Sequence, residues 1–368
     1  MTDLAPHNFT GEIAFSSSVK DCRWHGLEGA HAFERWHFDA LSDDGREALV
    51  ITFHDNCAIS PRYFRNGSKN GNSNGNSKVG AQKFPAVSLI YTVDGKTVLR
   101  TVNEFSDEQF SAEGEGIRCS IGNSSFQVNT ASYGSGFVLH IDLLTSRKRR
   151  ITAEMEWLSI EADLFEAEAE KTVGSDACWN IASPRSDVSG RLTLFGQQGT
   201  TRRLIHFRGT GYHDHFRSGR SLTDTIGARY WGRAHFIDST AIFHCHDLGG
   251  ELHPRIKLIL IHDGAIHQRE ISNVEDDFIR TRHGFRVPEL LSFVSDDDIR
   301  LRIKPVKVFQ TGFFESRILS EMTLSLRDGK VRETFGITEL LTPKLMRSRF
   351  FRWLTDLRIG KNGKGPIY

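Results

Sequence analysis

The amino-acid sequence predicts an all-β protein made of two strand-rich domains and closed by one amphipathic helix. Its 368 residues include 26 Phe and 33 Gly but 4 Met, a balance that favours strands and turns over helical bundles. Several strand-like runs also end at Asp-Gly, a strong hairpin signal because a type I′ turn needs positive φ at both central residues. A chain of this length is expected to form two domains.

The individual strands follow from these hairpin signals and from alternation of apolar and polar residues. Hairpins are predicted around Asp94-Gly95, after 255–262 at Asp263-Gly264, and after 322–327 at Asp328-Gly329. Apolar residues alternate with polar ones over 299–304 and occupy positions 151, 153, 155 and 157. A period of two indicates strands with one buried and one wetter face. Antiparallel meanders are therefore expected.

A change in composition marks the expected domain boundary. Between Glu154 and Asp176, eight acidic side chains accompany one Lys. We predict an N-terminal domain over 10–175 and a C-terminal domain over 176–342, with the second carrying the histidine-rich motif described below. Residues 343–368 are expected to form a helix and tail.

The terminal helix is predicted from its end signals and from the spacing of its apolar residues. Thr342 suits the N-cap, Pro343 the first helical position and Gly360 a stop. Apolar residues recur between them at positions 346, 350, 353 and 357. The opposite face is basic, with Lys344, Arg347, Arg349, Arg352 and Arg358. Such a helix either packs against a domain wall or lies on an anionic membrane surface.

Charge, hydropathy and cysteine content exclude several classes of protein. Lys and Arg total 47 against 46 Asp and Glu, which argues against a nucleic-acid partner. No stretch approaches the ~20 apolar residues of a membrane helix, and the first residues lack the order of a signal peptide. A cytoplasmic protein is expected, peripheral to the inner face of a membrane if the helix lies there. Five scattered cysteines without a Cys-x-x-Cys pair indicate buried free thiols.

The densest concentration of reactive side chains is the segment Gly209–Gly219, which contains Tyr212, His213, Asp214 and His215 in a row. If this segment is a strand, the two histidines share one face, and the tyrosine and aspartate share the other. Only one pair can then face a given cavity.

Three interpretations of this motif are open. His-x-His recurs at 244–246 and imidazole is a common metal ligand, but no Glu follows the first His-x-His in the cupin manner, so no metal is expected. Asp214 in a dry cavity would instead have a raised pKa and serve as a general acid. A structural Asp that accepts hydrogen bonds from its own turn is the third interpretation. The residues alone do not choose between the last two.

Short motifs in a fixed order over about residues 10 to 358 carry a family resemblance. They are Glu34-Arg-Trp-His-Phe-Asp39, Phe84-Pro-Ala-Val-Ser-Leu89, Trp179-Asn-Ile-Ala-Ser-Pro184, Tyr212-His-Asp-His215, Tyr230-Trp-Gly-Arg233 and Glu339-Leu-Leu-Thr-Pro343. Together they resemble the carotenoid 1,2-hydratase (hydroxyneurosporene synthase) family. The wider group is called AttH-like and includes lipocalin-like pericyclases.

The resemblance implies two lipocalin-like antiparallel β-barrels, a pocket for a carotenoid or other hydrophobic terpenoid or polyene, and chemistry without a cofactor. In such hydratases a buried acid protonates a terminal isoprene double bond, and water captures the tertiary carbocation. Carried over, Asp214 is the proton donor, and His213 and His215 tune the acid or position water. Tyr212 and Trp231 contact the ligand or stabilise the cation.

Candidate substrate-binding residues are Glu34, Trp36, Asp39, Trp179, Arg217, Trp231 and Arg233. Relatives usually continue the His-Asp-His with Asn-Trp-Gly, whereas Phe216-Arg217-Ser218 stands here, and Arg35 and His37 depart from the usual Glu-Trp-Trp-Tyr. Arg217 could pair with an acidic ligand or with Asp39, and Arg233 could bridge carboxylates or contact the ligand.

The expected function is that of a hydro-lyase. The alternatives are a pericyclase, cyclase or isomerase, and a non-catalytic lipid or pigment carrier.

Overall fold

Two curled antiparallel sheets form the protein. The computed structural model describes residues 13–69, 82–113, 116–131, 134–145, 149–166, 177–196, 200–246, 255–271, 273–280, 286–295, 299–312 and 314–365. The first sheet contains the strands β1 (Ile13–Ser16), β2 (Phe33–Ser42), β3 (Glu47–His54), β4 (Ala86–Val93), β5 (Lys96–Glu104), β6 (Phe110–Glu113), β7 (Arg118–Ile121), β8 (Ser124–Ala131), β9 (Gly134–Thr145), β10 (Arg150–Glu161), β11 (Ala177–Phe195), β12 (Thr201–Ser218) and β22 (Lys364–Gly365). Its strand order is β5-β4-β3-β2-β12-β11-β10-β9-β8-β7-β6, and β1 and β22 pair in parallel with β11 and β9.

The second sheet follows the first along the chain. It contains β13 (Arg229–His235), β14 (Ser239–His246), β15 (Arg255–His262), β16 (Ala265–Ile271), β17 (Asn273–Arg280), β18 (Arg286–Val294), β19 (Arg300–Thr311), β20 (Glu315–Ser325) and β21 (Val331–Leu341). The strand order is β16-β15-β14-β13-β21-β20-β19-β18-β17. The all-β prediction with two antiparallel units is confirmed.

The change from one sheet to the other does not occur at the predicted domain boundary. Strands β11 and β12 follow position 176, yet both are hydrogen-bonded into the first sheet, β12 between β2 and β11. The sheets change between Ser218 and Arg229. The histidine-rich motif therefore belongs to the first sheet. Strands β11 and β12, within residues 177–218, complete that sheet, because β12 is hydrogen-bonded to both β2 and β11.

The hairpin signals are confirmed where both turn residues have positive φ. Asp94 and Gly95 have φ of 49° and 66°, and Asp263 and Gly264 have φ of 49° and 74°. The third dipeptide is different, because residues 326–330 form a longer connection in which Gly329, at φ 73°, is the residue with positive φ. The alternating runs at 151–157 and 299–304 are strands whose apolar residues are buried, as predicted.

Four apolar clusters stabilise the described chain, and the smallest, around Phe309, joins Ala48 of the first sheet to the second sheet. One lies within the first sheet around Trp36 and Phe38, and a second lies within the second sheet around Phe243. The third joins them, with Trp179 from the first sheet and Trp231 from the second. All five cysteines are buried free thiols, as predicted.

Three short α-helices complete the described chain, namely α1 (Pro61–Lys69), α2 (Leu222–Thr225) and α3 (Arg349–Asp356). The predicted terminal helix is shorter than expected, because Pro343–Arg347 form a 3₁₀ turn and the backbone is extended at Ser348, the N-cap of α3. Met346 is buried, but Phe350 and Trp353 are exposed. Among the described helices, none has the length and apolar character needed to cross a bilayer.

Candidate functional site between the two sheets

Strand β12 carries the Tyr-His-Asp-His motif through the middle of the first sheet, and all four side chains are buried. The alternation expected of a strand holds here. His213 stacks on a core phenylalanine of the first sheet, whereas Tyr212 lies against Trp231 of the second sheet with ring centroids 5.4 Å apart. The histidine face therefore points into the first core, and the face with Tyr212 and Asp214 points toward the second sheet.

His213 is held inside the first core. Its ring stacks on Phe38 with centroids 3.8 Å apart, and Nδ1 donates to the carbonyl oxygen of His37 at 3.0 Å. Nε2 lies 3.5 Å from Sγ of Cys22. Burial lowers the pKa of His213 well below its usual value, so the ring is neutral. The expectation that His213 tunes Asp214 meets a geometric obstacle, because the two side chains leave the strand on opposite faces.

His215 also points away from Asp214. Its ring stacks on Trp36 with centroids 4.7 Å apart, and Nε2 lies 3.0 Å from Oε2 of Glu34. Burial raises the pKa of Glu34, but hydrogen bonds from His215 and His25 outweigh this and hold the pKa below its usual range. Glu34 and Trp36 thus contact the histidine face of β12 and not the face that carries Asp214.

His25, Glu34 and His215 could hold a metal ion, since one ligand atom from each lies within 4.8 Å of the others. Protein groups already contact this carboxylate. The backbone N–H of His25 donates to Glu34 at 3.0 Å, and both imidazoles lie within 3.3 Å of Oε2. Arg217 adds a positive charge beside the group through its 2.9 Å ion pair with Asp21. His25, Glu34 and His215 therefore form a hydrogen-bonded network in this structure.

Asp214 is fully buried on the opposite face. Nη2 of Arg35, on the neighbouring strand β2, lies 3.5 Å from Oδ1. Tyr212 and Arg35 are the donors close to this carboxylate, and among the described residues neither reaches a carboxylate oxygen with good hydrogen-bond geometry. Burial raises the pKa of Tyr212 well above its usual value, and the charge of Asp214 adds to this, so the phenol keeps its proton. Asp214 is therefore a carboxyl group with unoccupied hydrogen-bonding capacity in a dry site.

Arg229, on β13, completes this face from the second sheet. Its guanidinium lies 4.1 Å from the ring centroid of Trp179, 5.4 Å from that of Trp231 and 5.8 Å from that of Phe216. Burial lowers the pKa of Arg229 to about 10, with a contribution from the charge of Arg35. The aromatic faces expected to meet a substrate cation thus already contact a protein cation.

A cavity of about 60 Å³ lies beside these groups, between the sheets. A water molecule needs ~10–15 Å³ by the same measure, so the cavity has room for a few waters or one small polar group. Its charged lining consists of Arg35, Arg100, Arg229, Arg317, Glu315 and Glu339, and its apolar lining includes Phe33, Ile90, Val102, Phe216, Leu222 and Ile226. Both glutamates pair with Arg317, whose Nη2 lies 2.9 Å from Oε2 of Glu339.

Asp39 and Arg233 join the two sheets. Nε of Arg233 donates to Oδ1 of Asp39 at 2.7 Å, and both side chains are buried. Nε2 of His37 lies 3.2 Å from the other carboxylate oxygen. Of the alternatives open from the sequence, Arg233 therefore bridges a carboxylate, whereas Arg217 pairs with Asp21 and not with Asp39.

The structure brings Tyr212, Trp179 and Trp231 together between the sheets, with Asp214 on the same face as Tyr212. These side chains do not line the cavity; Asp214 contacts Arg35 and the two tryptophans contact Arg229, and both arginines line it. Sequence reasoning missed Arg35, Arg229, Arg317, Glu315 and Glu339 as members of this site. A signal for part of this set was present in 35–39, where Arg35, His37 and Asp39 alternate with Trp36 and Phe38, but not in 229–233, where Trp231 interrupts the pattern. Period-two polarity in an otherwise apolar strand indicates that one face meets a polar interior.

This double-sheet fold is that of AttH-like, lipocalin-like proteins. A crystal structure of an AttH-type protein from Nitrosomonas europaea superposes with a TM-score of 0.56 at 14% identity, covering 92% of this chain and 99% of that chain. A structure of CghA gives 0.53 at 13% identity, covering 85% and 88%. The fold prediction is confirmed by these similarities.

One named relative covers nearly the whole sequence. A hydroxyneurosporene dehydrogenase of Chlorobaculum tepidum is 23% identical over 348 residues, which is 93% of this chain and 90% of that protein. No family model matches the chain. The resemblance predicted from the short motifs is confirmed by this relative and by the shared fold.

Proposed function

We propose that this protein is an enzyme that uses Asp214 as a proton donor to a hydrophobic small molecule held between the two sheets. The observation that carries the proposal is the complete burial of Asp214, next to Tyr212 and to Arg35, a residue that lines the cavity between the sheets. A buried carboxyl group of this kind is suited to general acid catalysis. The specific reaction we propose is hydration of a terminal C=C bond of an acyclic isoprenoid.

The hydration requires only a proton and water. In the proposed reaction the Asp214 carboxyl group, protonated in place of its ion pair with Arg35, gives its proton to the less substituted alkene carbon, which forms a C–H bond and leaves a tertiary carbocation. A water molecule then forms the C–O bond, and the resulting oxonium ion returns a proton to the Asp214 carboxylate. The product contains one more water than the substrate, and Asp214 ends in its starting state. In this proposal the phenol of Tyr212, which is fully buried against Trp231, holds the water.

The named relatives support the class of ligand. The Chlorobaculum tepidum protein carries the name of hydroxyneurosporene, a hydroxylated isoprenoid, although the name describes a dehydrogenation. CghA has been solved with the small molecule Sch210972, and that complex superposes on this chain with a TM-score of 0.50.

The proposal is tested with Asp214→Asn on acyclic carotenes such as neurosporene and lycopene in detergent micelles. Wild-type protein in ¹⁸O-labelled water is expected to form a product with one added labelled oxygen, and Asp214→Asn is expected to lose this activity by a factor of at least ~100. Asp43→Asn, at an exposed ion pair with Arg208, is the matched control. Retained activity in Asp214→Asn refutes the proton-donor role. An unchanged ligand that co-purifies, with no product, identifies a carrier instead.

A second candidate is a cyclase or pericyclase, and the arginines favour it. Arg35 and Arg229 would oppose a carbocation beside them, whereas guanidinium groups stabilise negative charge that develops on a carbonyl oxygen. A pericyclase product has the mass of its substrate and takes no oxygen from labelled water. Mass spectrometry of the same reactions therefore separates the two candidates.

We also propose that helix α3 contacts an anionic membrane surface from which an apolar ligand is drawn. Phe350, Trp353 and Leu357 are 61%, 56% and 55% exposed. The exposed cation Arg349 lies on the same short helix. This combination of apolar and basic side chains is typical of interfacial helices.

Vesicle co-sedimentation tests this contact. Binding to phosphatidylserine vesicles is expected to fall at least tenfold in Trp353→Glu. It should persist in Ile237→Glu, which adds the same charge at a residue that is 94% exposed in the turn between β13 and β14. Equal binding of both variants, or no preference of wild type for anionic over neutral vesicles, overturns the proposal.

A further inference from the structure

The cavity between the sheets is lined by charged side chains of both signs. Four arginines line it, and both lining glutamates are paired with one of them, Arg317. Arg35 lies 3.5 Å from Asp214, which is its ion-pair partner. Arg229 has no carboxylate within ion-pair distance among the described residues, and its Nε and Nη2 atoms make no hydrogen bond there. A fully buried guanidinium therefore faces the cavity with unused donors.

Such a group is costly to bury. The charges of Glu339 and Asp214 act on this guanidinium from beyond ion-pair distance. Burial of a charge without a direct partner is still unfavourable, and aromatic contacts of the kind made by Trp179 offset only part of it. The nearby charge of Arg35 adds repulsion. A ligand with negative charge would satisfy the donors of Arg229 and relieve this repulsion, whereas an uncharged polyene would do neither.

The shape of the cavity agrees with a small acidic group. About 60 Å³ accommodates a head group and not a long polyene. The apolar side chains Phe33, Ile90 and Leu222 line the same cavity and would contact the carbon atoms next to the charge. His54 also lines it, but burial, with a contribution from Arg35, lowers its pKa to about 3, so this ring adds no positive charge.

We propose that Arg229, with Arg35, binds a carboxylate or equivalent acidic group of the substrate, so that the substrate is an amphiphilic acid with an apolar chain. This inference rests on the proposed binding of a hydrophobic small molecule between the two sheets, and it restricts that molecule to one with an acidic group, which neurosporene and lycopene lack. The planar guanidinium forks of the two arginines suit a carboxylate, which accepts two parallel hydrogen bonds. Arg229 is then a substrate-binding residue that determines specificity.

Binding of a matched pair of probes tests the proposal. Geranylgeranoic acid and its methyl ester share a chain and differ in charge, and titration calorimetry measures both affinities. Wild type is expected to bind the acid at least tenfold more tightly than the ester. Arg229→Gln should bring this ratio close to one through loss of acid affinity alone, and Arg229→Lys should retain an intermediate ratio. Arg46→Gln, at an exposed ion pair with Asp94, should leave the ratio unchanged.

The proposal is overturned if wild type binds the acid no more tightly than the ester, or if it binds neither probe. It is also overturned if Arg229→Gln weakens the affinities for acid and ester equally. Retained ester binding shows that Arg229→Gln is folded. If Arg229→Gln does not fold, Arg35→Gln is measured instead, and the expected ratio of acid affinity to ester affinity is the same. Competition by acetate at millimolar concentration would assign the site to free small anions instead.

The assays also separate this inference from the proposed reaction. Acid preference that depends on Arg229, in a protein without turnover, leaves the inference standing and removes the reaction. Turnover that depends on Asp214, with no acid preference, does the opposite.

Discussion

Breaking the ion pair between Asp39 and Arg233 is expected to destabilise the whole protein, because this pair fastens one sheet to the other. Both side chains are almost fully buried, at 1–2% exposure, and His37 contacts the same carboxylate. Burial raises the pKa of Asp39, but the charge of Arg233 outweighs this and lowers it. Arg233→Met would leave this carboxylate buried without its main partner.

The size of the effect follows from that burial. Removal of one partner from a buried ion pair costs about 3–5 kcal/mol, most of which is the penalty for the remaining charge. With an unfolding entropy of ~2.1 cal/mol/K per residue over this chain, the midpoint of thermal unfolding should fall by roughly 4–6 °C. Asp39→Asn should have a similar effect.

A double-mutant cycle identifies the interaction itself. The Asp39→Asn/Arg233→Met double variant should lose less stability than the sum of the single variants, by on the order of 2 kcal/mol. Urea unfolding monitored by tryptophan fluorescence measures all four proteins. Arg46→Met, at an exposed pair, is the control and should change stability by less than ~1 kcal/mol. Additive single effects, or no loss in Arg233→Met, would refute the reasoning.

Two further predictions concern the first sheet. Burial lowers the pKa of His25, but its hydrogen bonds to Asp21 and Glu34 outweigh this and raise it. The stabilisation of the fold by protonated His25 is therefore complete below the pKa of about 6.5 in the unfolded chain, and it is lost as the pH rises through the higher pKa of the folded state. The free energy of unfolding in urea, measured across this pH range, should depend less on pH in His25→Gln than in wild type. Gly209→Ala should cost about 1–3 kcal/mol by thermal unfolding, because the new Cβ would lie 2.1 Å from the carbonyl oxygen of Leu41. Gly219→Ala, which meets nothing within 4 Å, should be neutral.

Local signals in the sequence were sufficient for much of the fold. Asp94-Gly95 and Asp263-Gly264 encode their own turns, because the positive φ of both residues is a property of the dipeptide and its flanking strands. Asp328 does not adopt that conformation, since the strands on either side of it stop earlier and leave a longer connection. The predicted two-residue turn at Asp328-Gly329 is wrong because the length of a turn also depends on the register of the two strands, which a dipeptide does not determine alone.

The terminal helix shows a second limit of local reasoning. Apolar residues at positions 346, 350, 353 and 357 fit one helical face, so the sequence predicts that they form one surface. In the structure the chain turns at Ser348, so Met346 packs into the core between the sheets while Phe350 and Trp353 face outward. Helical spacing predicts a common face only if the helix is continuous.

The site was only partly predictable, because its members come from distant parts of the chain. The alternation in 212–215 correctly predicted that Asp214 and Tyr212 share a face. Arg35 and Arg229 could be recognised only once β2 had been paired with β12 and β13 placed opposite. The acidic segment before position 176 was misleading for the same reason, since long-range pairing and not local composition decides which sheet a strand joins.

If Asp214 is the proton donor proposed above, the pairing of β12 with β2 places groups that stabilise the sheet on one face of β12 and the reactive carboxyl group on the other. Asp214 lies opposite His37 and diagonal to Arg35 in this register, and a slip by one residue would exchange the aspartate with a histidine. Close approach of the Gly209 backbone to β2 and the contact of His215 with Glu34 both hold that register from outside the cavity. Substitutions of the histidines should therefore reduce activity through the position of Asp214, in proportion to lost stability, whereas Asp214→Asn should reduce activity in a folded protein.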